Sequence, residues 1–288
     1  MSTAVSTVLI ALVAVLTPLS ALAVWAEREI GDTDGYVSAM APLAADPTVR
    51  GAVADRIADE VIRQVDVGPF TGGVRDLVRD AVLSFAGTPA YATAWNTVNR
   101  AAHTAVEQAL TSEDGDAASI DLAPVIEQVK RELITDGVPF ADQIPVADIT
   151  ITVVESRRLG AARAAFDDLQ AAGLWLPVGT LLLAVVAVPL ARRRLPALAA
   201  LGLAVAVGGL LLRLVVAVGR ALTLGDLPAD VDRAAAGAVF DALTATLRLA
   251  SWCLVGVGLA LAITAWWAGR GQGLAEALPY ASGRRRAR

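Results

Sequence analysis

Four uninterrupted apolar runs and one long, periodically patterned stretch divide the chain. Residues 5–26, 173–191, 196–219 and 249–268 are each almost free of charge. Each is close to the roughly 20 helical residues needed to cross about 30 Å of hydrocarbon. The pattern predicts four transmembrane helices. A cleaved signal peptide is the other reading of the first run, because Ala21-Leu22-Ala23 is a small-x-small site. No Lys or Arg precedes that run, and it is longer than a signal core, so an uncleaved helix (residues 1–26) is preferred. Both readings place residues 27–172 outside.

That stretch carries helical periods. Asp46-Pro47 reads as an N-cap followed by Pro in the first turn. Val49, Val53, Ile57, Val61 and Val65 then recur at i+4 as one stripe, and Val67-Gly68-Pro69 ends the helix. A second helix over 71–86 is expected to bury Val74, Leu77, Val78, Val82 and Phe85. Gly87-Thr88-Pro89 repeats the stop-and-start signal. A third helix to about Leu110 is expected to turn Tyr91, Trp95, Val98, Ala102, Val106 and Ala109 inward. Residues 111–118 read as a polar loop. Residues 149–153 alternate as a strand does, and pairing with 119–122 would give a minor β ribbon, which needs helices packed on it. Pro124 opens a further helix closed by Gly137. Residues 156–172, with Leu159, Ala162, Phe166 and Leu169 on one face, are expected to run on into the second span. The predicted fold is therefore a mainly α membrane protein with four transmembrane helices. A large, mostly helical extracytoplasmic domain is inserted between the first and second.

Composition agrees with the runs. The chain has 288 residues, 56% of them hydrophobic and 18% charged. Soluble domains hold about 45–50% apolar and about 25% charged residues. A single cysteine, Cys253, and a single histidine, His103, exclude a disulfide framework, a thiolate zinc site and a multi-histidine metal centre. A net charge of −5 argues against nucleic acid. No cofactor or metal is expected.

The charges also set an orientation. Residues 192–195 and 269–288 hold Arg192, Arg193, Arg194, Arg270, Arg284, Arg285, Arg286 and Arg288 against one acid, Glu276. Residues 27–172 hold 24 acids against 12 bases, a net of −12. The outer loop, 220–248, and its flanks balance. Basic segments stay cytoplasmic, so both termini are expected inside, at the plasma membrane. Trp25, Trp175 and Trp252 fall at the outer ends of spans, and Trp266 and Trp267 at an inner end, as an interfacial aromatic belt requires.

Candidate chemistry is sparse. Trp95, Asn99 and His103 follow at i+4 steps, which makes a polar site beside an indole. The plainer and preferred reading is a histidine hydrogen-bonded within the domain. Asp32-Thr33-Asp34-Gly35 begins like a calcium loop but continues as Tyr36-Val37-Ser38, so a capped turn is preferred. Arg213 is the one clearly intramembrane charge: either a substrate or ion contact, or a side chain snorkelling to the outer surface or to an outer-loop acid. Gly202, Gly208, Gly209, Gly256 and Gly258 allow close helix packing.

Several stretches resemble a group of uncharacterised integral membrane proteins of actinobacteria. They are Trp25, Asp32-Thr33-Asp34-Gly35-Tyr36-Val37, residues 41–49 (APLAADPTV), and Thr88-Pro89 through Trp95, Asn99, Arg100, Ala102 and His103. Ile120-Asp121-Leu122-Ala123-Pro124-Val125 and residues 234–247 (AAAGAVFDALTATL) complete them. The resemblance covers nearly the whole chain. It implies an N-terminal span, an extracytoplasmic domain and three further spans, and it carries over no activity and no catalytic residue.

The expected function is a non-enzymatic envelope interaction or scaffold protein. It contacts the lipid bilayer and, through its ectodomain, a protein partner or envelope component. The alternative is a transporter or transport accessory using the four-helix bundle and Arg213. An extracytoplasmic enzyme with paired carboxylates ranks last.

Overall fold

The computed structural model describes residues 2–64, 68–111, 119–121, 127, 130–131, 134–135, 150–152, 173, 175–191, 193–229 and 231–277. The first apolar run is helix α1 (Ser2–Trp25), which passes into a π-helical turn, Ala26–Ile30. Asp32 then caps α2 (Thr33–Met40) by accepting from the Gly35 N–H at 3.1 Å. A Cβ on Gly35 would run into the Arg28 carbonyl, so glycine here serves a close backbone approach. After a 3-10 turn (Ala41–Ala45), Asp46 caps α3 (Pro47–Gln64) by accepting from the Thr48 and Val49 N–H groups. The positive φ of Gly68 reverses the chain into α4 (Thr71–Ala86), and α5 (Pro89–Thr111) follows. Strands β1 (Ser119–Asp121) and β2 (Thr150–Thr152) pair antiparallel, with Ile120 opposite Ile151. Residues 127, 130, 131, 134 and 135 are helical. The expected helix over 156–172 lies outside the described residues.

Helix α6 (Trp175–Ala187) is apolar but short, roughly 20 Å at 1.5 Å per residue. Helices α7 (Arg194–Gly225), α8 (Arg233–Leu243) and α9 (Ala245–Ala277) complete the described chain. Three segments, Val5–Ile30, Arg194–Gly225 and Ala245–Arg270, are long and apolar enough to cross a bilayer, which makes this a multi-pass membrane protein.

The chain forms two compact units. One is Met1–Ala26, Gln170–Gly219 and Thr246–Arg288; the other is Glu27–Leu169 with Arg220–Ala245. In the first, glycines set the packing. A Cβ at Gly202 would lie 2.6 Å from the Gly258 carbonyl oxygen, and one at Gly209 would lie 2.8 Å from that of Ser251, so α7 and α9 touch backbone to backbone. Gly208 faces Thr17 of α1 in the same way. Gly256 meets nothing, so it belongs to none of these contacts. Ser6 donates to the Ala187 carbonyl at 3.0 Å and Ser20 lies 2.8 Å from Thr180, linking α1 to α6.

The core of the second unit is Met40, Leu43 and Val49, with Tyr36, Val53 and Trp95 around it. Ala235, Ala238, Val239, Ala242 and Leu243 of α8 pack on that core. Residues 220–248 are therefore no loop: they are mostly helix, and residues 220–245 fold with 27–169. The segment reads as a loop because it joins two apolar runs in sequence. Its i, i+3, i+4, i+7, i+8 pattern of apolar residues is nevertheless that of a helix covering a core.

Three sets of positions expected inside are placed differently. On α3 the fully buried residues are Ala54 and Ala58, while Ile57 is 41% exposed. At 100° per residue Ile57 falls between the bearing of Val49 and that of Ala54, so the buried side of α3 is divided, with Val49 in one contact and the alanines in another. On α4, Leu77 is 70% exposed because it lies about 100° from Val78, beyond the reach of one partner helix. On α5, Val98, Ala102 and Val106 are exposed, whereas Tyr91 and Thr97 are buried and Trp95, Asn99 and His103 are partly so.

Candidate functional site

The i+4 spacing on α5 brings Trp95, Asn99 and His103 to α2 and the chain just before it. The Trp95 Nε1–H donates to the Met40 carbonyl at 2.9 Å. Asn99 donates back to the Trp95 carbonyl at 2.8 Å, one turn earlier. The His103 Nε2 is 2.9 Å from the Ile30 carbonyl oxygen, an acceptor only, so Nε2 carries the proton. Its Nδ1 is 3.1 Å from the Thr33 hydroxyl, and the ring stacks on Tyr36 at 4.6 Å between centroids. In neutral imidazole, Nδ1 therefore accepts from Thr33. Every polar atom of the ring is used in joining two segments. The arrangement is a structural pin, with no nucleophile presented to solvent.

The aspartates of the Asp32–Gly35 turn are likewise used within the fold. Asp32 is the α2 cap, and Asp34 pairs with Arg100 at 2.7 Å. Sequence reasoning had no signal for Tyr36 or Thr33 as partners of His103, because they lie some 70 residues away. Burial raises the Tyr36 and Tyr91 phenols above their ordinary value, 10.0. The Tyr91 hydroxyl is buried without a hydrogen-bond partner.

Helices α3 and α4 form a hairpin with two unlike edges. Along one, Arg75 and Arg79 meet Asp59 at 2.7 Å and Asp55 at 2.8 Å. The hydrogen bond from Arg75 holds the Asp59 carboxyl below its usual range. Ile57 lies about 160–200° around α3 from Asp55 and Asp59, and Leu77 about 200° around α4 from Arg75 and Arg79. Away from that edge Leu77 is 70% exposed, and Phe70, in the turn between the two helices, is 73% exposed.

In the membrane unit, Arg213 is exposed and its guanidinium lies over the Trp252 ring, 5.0 Å from the centroid. No outer-loop acid pairs with it among the described residues. Asp241 of that segment is held by Arg220 through two hydrogen bonds of 3.1 and 3.2 Å. Trp266 carries Arg270 at 3.7 Å and meets Trp267 edge-on. Trp175 is exposed, and Trp25 ends α1. Arg193 and Arg194 are exposed at the start of α7; Arg192, Arg284, Arg285 and Arg286 lie outside the described residues. Comparison of the chain with protein-family models, curated proteins and solved structures finds no match.

Proposed function

We propose that the chain is a four-span plasma-membrane protein with both termini cytoplasmic and a non-enzymatic extracytoplasmic domain that binds a protein partner. Parity supports four crossings. Residues 27–169 and 220–245 fold as one unit, so they share a side of the membrane. An even number of crossings must separate them. Helix α7 supplies one, and the segment containing α6 supplies the other. Helices α1 and α9 then lead to the opposite side, where Arg193, Arg194 and Arg270 lie, as cytoplasmic flanks do. A minor β ribbon, β1 with β2, belongs to the outer domain in this reading.

The observation that carries the interaction role is the pair of exposed large apolar side chains on the α3–α4 hairpin. Phe70 stands in the turn between α3 and α4, Leu77 lies seven residues on along α4, and both are largely exposed. Apolar surface that gathers on a folded domain is where a protein partner can be bound. The test is in vivo crosslinking and purification from native membranes, comparing wild type with a Phe70→Asp, Leu77→Asp double variant. A discrete partner recovered with wild type and lost with the variant is expected. Equal recovery with the variant, or no partner at all, would overturn the role.

A transporter or transport accessory is placed second. Its residues were Arg213 and the α7 glycines. Arg213 lies on the outside of α7 against Trp252, and Gly202, Gly208 and Gly209 are taken up by helix contacts.

A further inference from the structure

We propose that Arg213 and Trp252 form a binding site for the phosphate of a membrane lipid, where α7 and α9 meet. The site is placed by the backbone. Gly209 brings α7 against the Ser251 carbonyl of α9. One turn further along α7 is Arg213, and the next residue along α9 is Trp252. Depth agrees on both helices. Arg213 lies six residues inside Gly219 and Trp252 six inside Thr246, the positions where the membrane unit ends. At 1.5 Å per residue this is about 9 Å, close enough for an Arg side chain to reach the headgroup level.

The chemistry asks for an anion. The indole face stabilises the guanidinium without neutralising it. A cation held over a ring face uses no N–H donor in the contact, so the guanidinium N–H groups stay available to an acceptor. Among the described residues no acceptor meets those groups or the Trp252 indole N–H, and Trp252 is 56% exposed. Arg220, two turns on, shows the contrast, because a carboxylate holds it. A charged donor cluster on an apolar surface is satisfied by a tetrahedral oxyanion, which accepts several N–H bonds at once. Phosphate is the oxyanion that a bilayer presents there.

The probe is short-chain phosphatidylglycerol, titrated into the purified full chain in a neutral detergent and read by native mass spectrometry. Parallel arms use diacylglycerol, which lacks the phosphate, and inorganic phosphate. Wild type is expected to retain phosphatidylglycerol and not diacylglycerol. Arg213→Leu is expected to weaken retention about tenfold or more. Trp252→Leu should weaken it about threefold. Arg213→Lys keeps the charge, guards against misfolding of the leucine variant, and should fall between wild type and Arg213→Leu. Inorganic phosphate leaving the lipid in place assigns the site to lipid; displacement of the lipid assigns it to free phosphate and overturns the lipid assignment. Retention by Arg213→Leu within twofold of wild type, equal retention of diacylglycerol, or no retention by wild type would overturn the site itself.

Discussion

His103 holds Ile30 and Thr33 to α5 through both ring nitrogens and adds a stacked contact with Tyr36. His103→Ala removes all three and leaves the Ile30 carbonyl without this donor. A loss of about 1–2 kcal/mol is expected for a partly exposed network of this kind, read as a lower melting midpoint of the purified chain. The Tyr91 hydroxyl is the opposite case, a buried donor with no acceptor. Tyr91→Phe should therefore raise stability, by about 0.5–1 kcal/mol, and a fall in the midpoint would contradict the packing. Burial also keeps the Tyr91 and Tyr36 phenols protonated where an unfolded chain would lose the proton. The folded value is raised, so this contribution is intact below about pH 10 and is lost as pH climbs through the folded value. Midpoints measured on the alkaline side should fall less steeply in Tyr91→Phe than in wild type.

Helix α3 shows why a face read from a sequence needs its phase as well as its period. Ala54 and Ala58 are the fully buried positions of α3, while the larger Ile57 is 41% exposed. Ala58→Leu should overpack its site and cost about 1–3 kcal/mol, whereas Ile57→Ser should change the midpoint little. Chemical denaturation of both variants checks the contrast, and equal effects would refute the assignment. Element boundaries were legible for a local reason. Asp46-Pro47 and Gly87-Thr88-Pro89 act within a turn, so α3, α4 and α5 begin and end where the pattern puts them. Facing was less legible, because it depends on neighbours: Leu77, Val98 and Val106 are apolar and outward. The Trp95–His103 face was visible as a spacing, but its partners at Met40, Ile30 and Thr33 come from elsewhere in the chain. Arg213 was visible as a charge in an apolar run; its ring partner on α9 was not, since only helix packing brings them together.

At the scale of the whole chain, α8 couples distant sequence to one core. Val239 packs among Met40, Leu43 and Val49, roughly 190–200 residues earlier. Val239→Asp places a carboxylate in that cluster and should cost about 2–4 kcal/mol. In the full-length protein, limited proteolysis should then cut within residues 27–169 faster than in wild type; unchanged cleavage there would refute the shared core. This discontinuous construction also imposes an order on synthesis. A ribosome adds about 5–20 residues per second, so the partner helix arrives roughly 4–15 s after Leu169 has been made. Over that interval the cluster of Met40, Leu43 and Val49 has Tyr36, Val53 and Trp95 on it but lacks the cover that α8 supplies. The nascent domain must wait, half-built, until the ribosome has passed through α6 and α7 and made α8.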